Sequence, residues 1–304
     1  MSPRVEALCG ILLLDKPPGL SSNAALQRVR AHLGRPKAGH TGSLDPLATG
    51  MLPICIGEAT KLAGELLAGV KAYTVELRLG ERTDTGDAAG QVVERCGLPA
   101  LSPDSIEAAL RGLRGPQQQV PPMFSALKRD GVPLYRLARR GLNVERAARS
   151  IEIYALELLR FEAERVQLRV ECSKGTYVRT LVEQVGTALG SCAHVSALRR
   201  DFVEPFRNEA MITLEALLQT AEPTLLPADR AVVQLPALRL SPSQARSISF
   251  GQQALIEGAP QGRLRLYGDT GRFMGLGVGA DSGQVRALRL FAPSGEPAVT
   301  DCSA

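Results

Sequence analysis

The sequence predicts an α+β fold: a mixed, mostly antiparallel sheet in a large first domain, followed by a small β-rich module. Three observations carry this. The chain has 304 residues, 44% hydrophobic and 22% charged, enough for one sizeable core and a smaller second one. Alternating runs recur between single helices without βαβ regularity, which argues against a doubly wound parallel sheet. After Gln219 the chain becomes proline-punctuated at Pro223, Pro227, Pro236 and Pro242 and then breaks into short strands split by glycines. The boundaries this gives are 1–236 and 237–304. There is no internal repeat.

Taken in order, Gly10–Leu14 is a short apolar strand closed by the turn Asp15-Lys16-Pro17-Pro18-Gly19. Ser21 or Ser22 caps a helix in which Leu26, Val29 and Leu33 recur at helical spacing, and Gly34 and Pro36 stop it. Ala38–Pro53, AGHTGSLDPLATGMLP, concentrates Gly39, Gly42, Gly50, Pro46 and Pro53 around polar side chains and reads as an ordered loop rather than a strand or helix interior. Glu58–Leu67 reads as a helix. Lys71–Gly80 alternates, with Tyr73, Val75, Leu77 and Leu79 on one face and Thr74, Glu76 and Arg78 on the other. Ser102-Pro103 opens a helix running through Leu113. Ser150–Phe161 and Arg165–Cys172 are strands, Lys174-Gly175-Thr176 turns into a helix over Tyr177–Leu189, and Cys192–Phe202 is a further strand. In the last module Arg263–Tyr267, Arg272–Val278 and Gln284–Phe291 are short strands.

Composition removes several function classes. Aromatics are 4% and Trp is absent, so Leu, Val, Ile and Ala fill the core. The six cysteines form no CxxC pair, and His32, His40 and His194 stand at no zinc-ligand spacing to them, so free thiols in a reducing compartment and no metal are expected. The apolar run near the start ends at Asp15-Lys16, no stretch approaches a membrane span, and a cytoplasmic location is expected. The two DTG triplets, Asp84-Thr85-Gly86 and Asp269-Thr270-Gly271, lack the apolar lead-in strands of a carboxylate dyad and read as surface turns. Gly275, Gly277 and Gly279 form an incomplete glycine fingerprint with no following helix, which disfavours a dinucleotide site.

The net charge is +5. From Lys128 to Arg149 seven basic residues, including Arg136, Arg139 and Arg140, face only Asp130 and Glu145. A solvated helix face and a phosphate-tracking surface both fit that stretch. Beyond it stand Asp45 in the loop, Tyr73 at the start of a strand and Arg179 in the first turn of a helix. A carboxylate serves as a metal-free nucleophile, a guanidinium keeps it ionised and aimed, and a tyrosine stacks on a planar base or helps move a proton. Each also has a purely structural role open to it.

Together the residues resemble the bacterial tRNA pseudouridine synthases of the TruB family, which isomerise the T-loop uridine at tRNA position 55. The matching blocks are GILLLDKPPGLSSN (10–23), AGHTGSLDPLATGMLPICIGEATK (38–61), YTVELRLGERTDTGDAAG (73–90), QVPPMFSALKRDGVPLYRLARRG (119–141), CSKGTYVRTLVEQVG (172–186) and AHVSALRR (193–200). A looser likeness around GRFMGLG (271–277) points to an RNA-binding module of the PUA type at 237–304. The resemblance implies a nucleophilic Asp45, a base-stacking Tyr73 and an Arg179 that pairs with the aspartate. It implies that His40 fills the gap left by a flipped uridine, that Tyr177 and Leu198 line the base pocket, and that Lys16 and Asp87 lie near the site. It also implies that Lys128, Arg136, Arg139 and Arg140 fall in an insertion around 119–149 that grips the RNA stem-loop. No cofactor, no obligate protein partner and a monomer acting on the T-arm of tRNA are expected. The rival reading is an RNA-binding or tRNA-folding protein in which isomerisation is secondary. After AHVSALRR, Asp201 and Glu204 place acidic groups where RNA would pass, which departs from the pattern.

Overall fold

The structure, a computed structural model, describes residues 8–292; the first seven residues and Cys302, on which expectations were placed, lie outside the described part. Its main sheet runs β13 (Ile212–Thr213), β1 (Gly10–Lys16), β3 (Thr49–Ile56), β12 (Ala193–Val203), β4 (Lys71–Leu79), β11 (Arg165–Cys172), β10 (Arg149–Glu162) and β7 (Gly115–Gln119), with β2 (Ala38–His40) also paired to β3. Only β1–β13 and β3–β12 pair in parallel; every other neighbour is antiparallel. This is the expected mixed, mostly antiparallel α+β sheet.

Alternation on β4 explains why it sits at the centre. Val75, Leu77 and Leu79 are 0–2% exposed, and burying each contributes about 1.5–3 kcal/mol. With Leu12, Leu14 and Leu168 they form one apolar cluster with residues of α1 (Ser22–His32), α3 (Pro103–Arg111) and α5 (Val178–Ala188). A second cluster joins Ile11, Leu13, Met51 and Phe202 to residues 57–68 and 228–232. The helices start where the sequence marks them: the Ser21 hydroxyl accepts the Ala24 N–H, and Ser102 and Ser105 form a reciprocal capping box.

Beyond α6 (Leu214–Gln219), a five-stranded sheet runs β14 (Ala237–Arg239), β16 (Gly262–Tyr267), β17 (Phe273–Gly279), β18 (Gln284–Leu290) and β15 (Ala254–Leu255), with α7 (Pro242–Ser249) packed beside it. Its core is Leu240, Ile248, Leu264, Leu266 and Val285. The module rests on the segment that leads into β4: Arg263 forks onto Glu65, and Lys61 Nζ donates to Leu290 O at 2.8 Å.

Three expectations need correction. Ala38–Pro53 is not a loop throughout, since β2 and β3 occupy its ends and only Thr41–Ala48 is irregular. The glycine that disguised β3 is what lets it pair: Gly50 has φ +96°, and a Cβ there would lie 2.2 Å from the Arg200 carbonyl oxygen. Glu58–Leu67 is a 3₁₀ segment, Gly57–Leu62, followed by the short α2 (Ala63–Ala68). Cys96 and Cys192 form a disulfide, so among the described residues only Cys9, Cys55 and Cys172 are free thiols. That pair is invisible in spacing because it depends on tertiary folding: the hairpin of β5 (Glu81–Thr83) and β6 (Val92–Arg95) returns to Gly80, whose N–H bonds Cys192 O and whose carbonyl accepts Cys96 N–H.

Candidate active site

The loop Thr41–Ala48 is fastened from beneath. The buried Ser22 hydroxyl accepts the Leu44 N–H at 2.7 Å and donates to Leu44 O at 3.1 Å. Gly19 N–H donates to Pro46 O at 2.8 Å, and Thr41 N–H to Pro53 O at 2.9 Å. Lys16 extends from the end of β1, fully buried, and its ammonium donates to Pro17 O at 2.9 Å, Leu20 O at 2.7 Å and more distantly to Pro46 O at 3.5 Å. Burial pushes Lys16 down to about 8, against the pull of Asp45. The Asp45-Pro46 turn is thus held on both sides, with the Asp45 side chain left 38% exposed.

Arg179 reaches this carboxylate from the first turn of α5. Its Nε lies 2.9 Å from Asp45 Oδ2 and its Nη2 3.3 Å from Oδ1. The guanidinium also reaches two other segments: Nη1 donates to Thr85 O at 2.6 Å and Nη2 to Phe124 O at 2.7 Å. With its side chain only 6% exposed, the guanidinium ties the loop, the Asp84–Gly86 turn and the 119–127 segment into one unit. Burial raises the Asp45 carboxyl above its ordinary value; Arg179 opposes this, Asp87 adds to it, and Lys16 also opposes it. The first DTG triplet is therefore no plain surface turn, because the carbonyl of Thr85 is a ligand of Arg179. The second, Asp269–Gly271, is exposed.

Tyr73 lies on β4 in register with Arg200 of β12, and Val75 with Leu198, so the four share one face. Tyr73 is 7% and Leu198 8% exposed. Burial raises the Tyr73 phenol; the Arg200 guanidinium beside it opposes the rise, and the charge of Asp45 also reaches it. Tyr177 precedes α5, its backbone clasped by the Gln119 amide, which accepts the Tyr177 N–H at 2.8 Å and donates to Tyr177 O at 3.2 Å. Burial raises this phenol too, with Asp45 among the charges acting on it. Asp87 is buried and accepts the Thr85 hydroxyl at 2.7 Å and the Ala89 N–H at 3.0 Å. His40 ends β2 with Nδ1 buried and unpartnered, and burial, then Arg200, lowers its basicity.

Lys16, Asp45, Tyr73, Asp87, Tyr177 and Arg179 are thus brought together. Lys128, Arg136, Arg139 and Arg140 are exposed on a separate segment, a small hairpin of β8 (Lys128–Arg129) and β9 (Val132–Pro133) followed by α4 (Leu134–Ala138). That segment is joined to the site through Phe124 and Gln119. The acidic departure is tied down within the protein: Asp201 accepts the Thr74 hydroxyl at 2.9 Å, and Glu204 pairs with Arg207 at 2.8 Å. Sequence reasoning missed Thr85, Gln119, Phe124 and Arg200. The first three act through backbone atoms or on backbone, which side-chain chemistry does not advertise; Arg200 had a signal, being in strand phase with Leu198. Among the described residues no group of three or more His, Cys, Asp or Glu side chains is arranged to hold a metal, and no helix is long and apolar enough to cross a membrane.

Comparison with known proteins gives one consistent answer. Residues 30–178 match the family described as TruB family pseudouridylate synthase (N terminal domain). Residues 179–233 match the tRNA pseudouridylate synthase B C-terminal domain, and residues 236–291 match pseudouridine synthase II TruB, C-terminal. The chain is similar to tRNA pseudouridine synthase B of Chromohalobacter salexigens, 51% identical over 93% of this chain and 94% of that protein. It is 49% identical to that of Pseudomonas aeruginosa over 94% and 97%. Among solved structures it resembles a chain of a Cbf5-Nop10-Gar1 complex, with a TM-score of 0.67 and 26% identity over 90% of this chain and 79% of that one.

Proposed function

Because this chain belongs to the TruB family of pseudouridine synthases, we propose that it isomerises a uridine of tRNA to pseudouridine, at position 55 in the T-loop, with Asp45 as nucleophile. The observation that carries the reading is the Arg179–Asp45 pair, a partly exposed carboxylate fixed by a buried guanidinium, with Tyr73 close enough to feel the charge of Asp45.

The reaction rearranges one nucleotide. The N1–C1′ bond breaks, the uracil ring turns, C5 bonds to C1′, the C5 proton leaves and N1 takes one up, so atoms balance without oxidation or group transfer. As the nucleophile, Asp45 forms a transient covalent bond to the nucleotide, and that bond breaks again before the pseudouridine leaves. Arg179 fixes the direction of that carboxylate through its fork. The base leaves its stack at a cost of a few kcal/mol, offset by stacking on the Tyr73 ring, with Tyr177 and Leu198 beside it and His40 filling the gap. Lys16 and Asp87 hold the loop and the Thr85 turn. The exposed Lys128, Arg136, Arg139 and Arg140 contact RNA phosphates. We take residues 1–236 as the catalytic unit and 237–304 as a PUA-like RNA-binding module.

The test is incubation with an unmodified T-arm stem-loop followed by mapping of new pseudouridine. Modification at the position-55 uridine is expected. Modification elsewhere, or none, rejects the assignment.

A further inference from the structure

Arg200 is among the largest side chains buried almost completely, at 1% exposure, and the mechanism above does not use it. Its Nε donates to Met51 O at 2.7 Å and Nη2 to Gly42 O at 3.0 Å, while among the described residues no carboxylate pairs with it. Asp201, its neighbour in sequence, is occupied by Thr74. A buried cation without a counter-charge is costly, and an apolar residue of similar size would fill this space more cheaply. What the guanidinium does touch is informative. Gly42 belongs to the loop that carries Asp45, Met51 lies on the strand leaving it, and Tyr73 stands directly across from Arg200. Gly50 is forced by the same residue, because β3 must pass against the Arg200 backbone.

We propose that Arg200 is a positioning residue for the isomerisation: from within the sheet it locks the Gly42 end of the Asp45 loop to the strand pair that carries Tyr73 directly opposite it, so that nucleophile and stacking ring hold one base in a fixed relation. The inference rests on the reading of this pocket as the synthase site. Arg200 is too buried to touch substrate and acts through Tyr73 and the loop. The cation also favours negative charge on the Tyr73 oxygen, which helps the phenol in moving a proton.

The experiment compares the whole protein with Arg200→Lys and Arg200→Gln. It measures single-turnover isomerisation of the T-arm RNA, RNA affinity, and the ¹³Cζ resonances of the five tyrosines, with Tyr73 identified by its loss in Tyr73→Phe. The expected result is a rate lower by about 10- to 100-fold in both variants, RNA affinity within about threefold, and a shift of the Tyr73 resonance with the other tyrosines unmoved. A full rate, or a Tyr73 resonance that stays put, overturns the proposal, as does a uniform shift of all tyrosines, which marks a merely structural residue. Should the variants not fold, the Arg200 guanidinium ¹⁵N resonances in Tyr73→Phe decide instead: a shift from wild type supports the contact, and no shift overturns it. A wild type inactive on the RNA rejects the synthase reading, and the tyrosine and guanidinium resonances still judge the contact.

Discussion

Replacing Arg179 by lysine keeps the positive charge and removes the fork. The guanidinium makes three hydrogen bonds to three segments, to Asp45 Oδ1 at 3.3 Å, to Thr85 O and to Phe124 O, and its Nε also lies 2.9 Å from Asp45 Oδ2. A single ammonium satisfies about half of these at once. Each lost bond to a charged group is worth about 1.5–3 kcal/mol, and the 3.3 Å contact and the partial exposure of Asp45 place the figure at the low end. The expected loss in transition-state placement is about 3 kcal/mol, or roughly 100-fold in rate. The assay is release of tritium from C5-labelled uridine in the T-arm, since the C5 proton must leave. A second effect has a definite sign. Burial and Asp87 already raise the Asp45 carboxyl and the Arg179 guanidinium opposes them, so with a neutral glutamine in its place the carboxyl rises further. Activity that needs the carboxylate is lost as pH falls through that value, so the acidic limb of the pH–rate profile in Arg179→Gln moves to higher pH. A lysine variant at full rate, together with an unmoved acidic limb in the glutamine variant, would refute the reasoning.

Further outcomes follow from the same geometry. Neutralising Arg136, Arg139 and Arg140 together weakens tRNA binding and reduces the salt slope by about 2–3; a slope equal to that of wild type makes the segment a solvated face. Gly50→Ala forces a side chain against the Arg200 carbonyl at positive φ and lowers thermal stability by at least about 1–3 kcal/mol; a melting temperature equal to wild type contradicts the tight β3–β12 passage. Lys71 is buried, donates to Leu67 O and Gly69 O, and is pushed down to about 8 from 10.5, burial being the main cause. Between those values the unfolded chain binds the extra proton, so stability rises with pH through the window. Wild type therefore gains melting temperature relative to Lys71→Met from pH 8 to 10.5, and parallel curves contradict the burial of the charge.

What could be read directly was local. The period-two pattern of Tyr73–Leu79 gives β4 its buried face because every second side chain is apolar, and Ser21, Ser102 and Pro103 mark helix starts because orphan N–H groups need partners there. Asp45 and Arg179 are 134 residues apart, and no spacing rule joins them; the family resemblance brought them together, and the sheet order supplies the physical reason. β2 and β3 were hidden because Gly39, Gly50 and Pro53 carry turn chemistry into strands, where a close strand passage needs Gly50. The Cys96–Cys192 bond depends on where the β5–β6 hairpin lands. β12 turns the neighbouring Arg199 and Arg200 to opposite faces: Arg199 forks onto Asp15 while Arg200 binds the Met51 carbonyl.

The central claim is tested most directly by Asp45→Asn, which keeps the size of the side chain and removes its charge and nucleophilic oxygen pair. Measured on one T-arm RNA, pseudouridine formation is expected to vanish while RNA affinity stays within about threefold of wild type. Normal turnover by that variant would contradict the account.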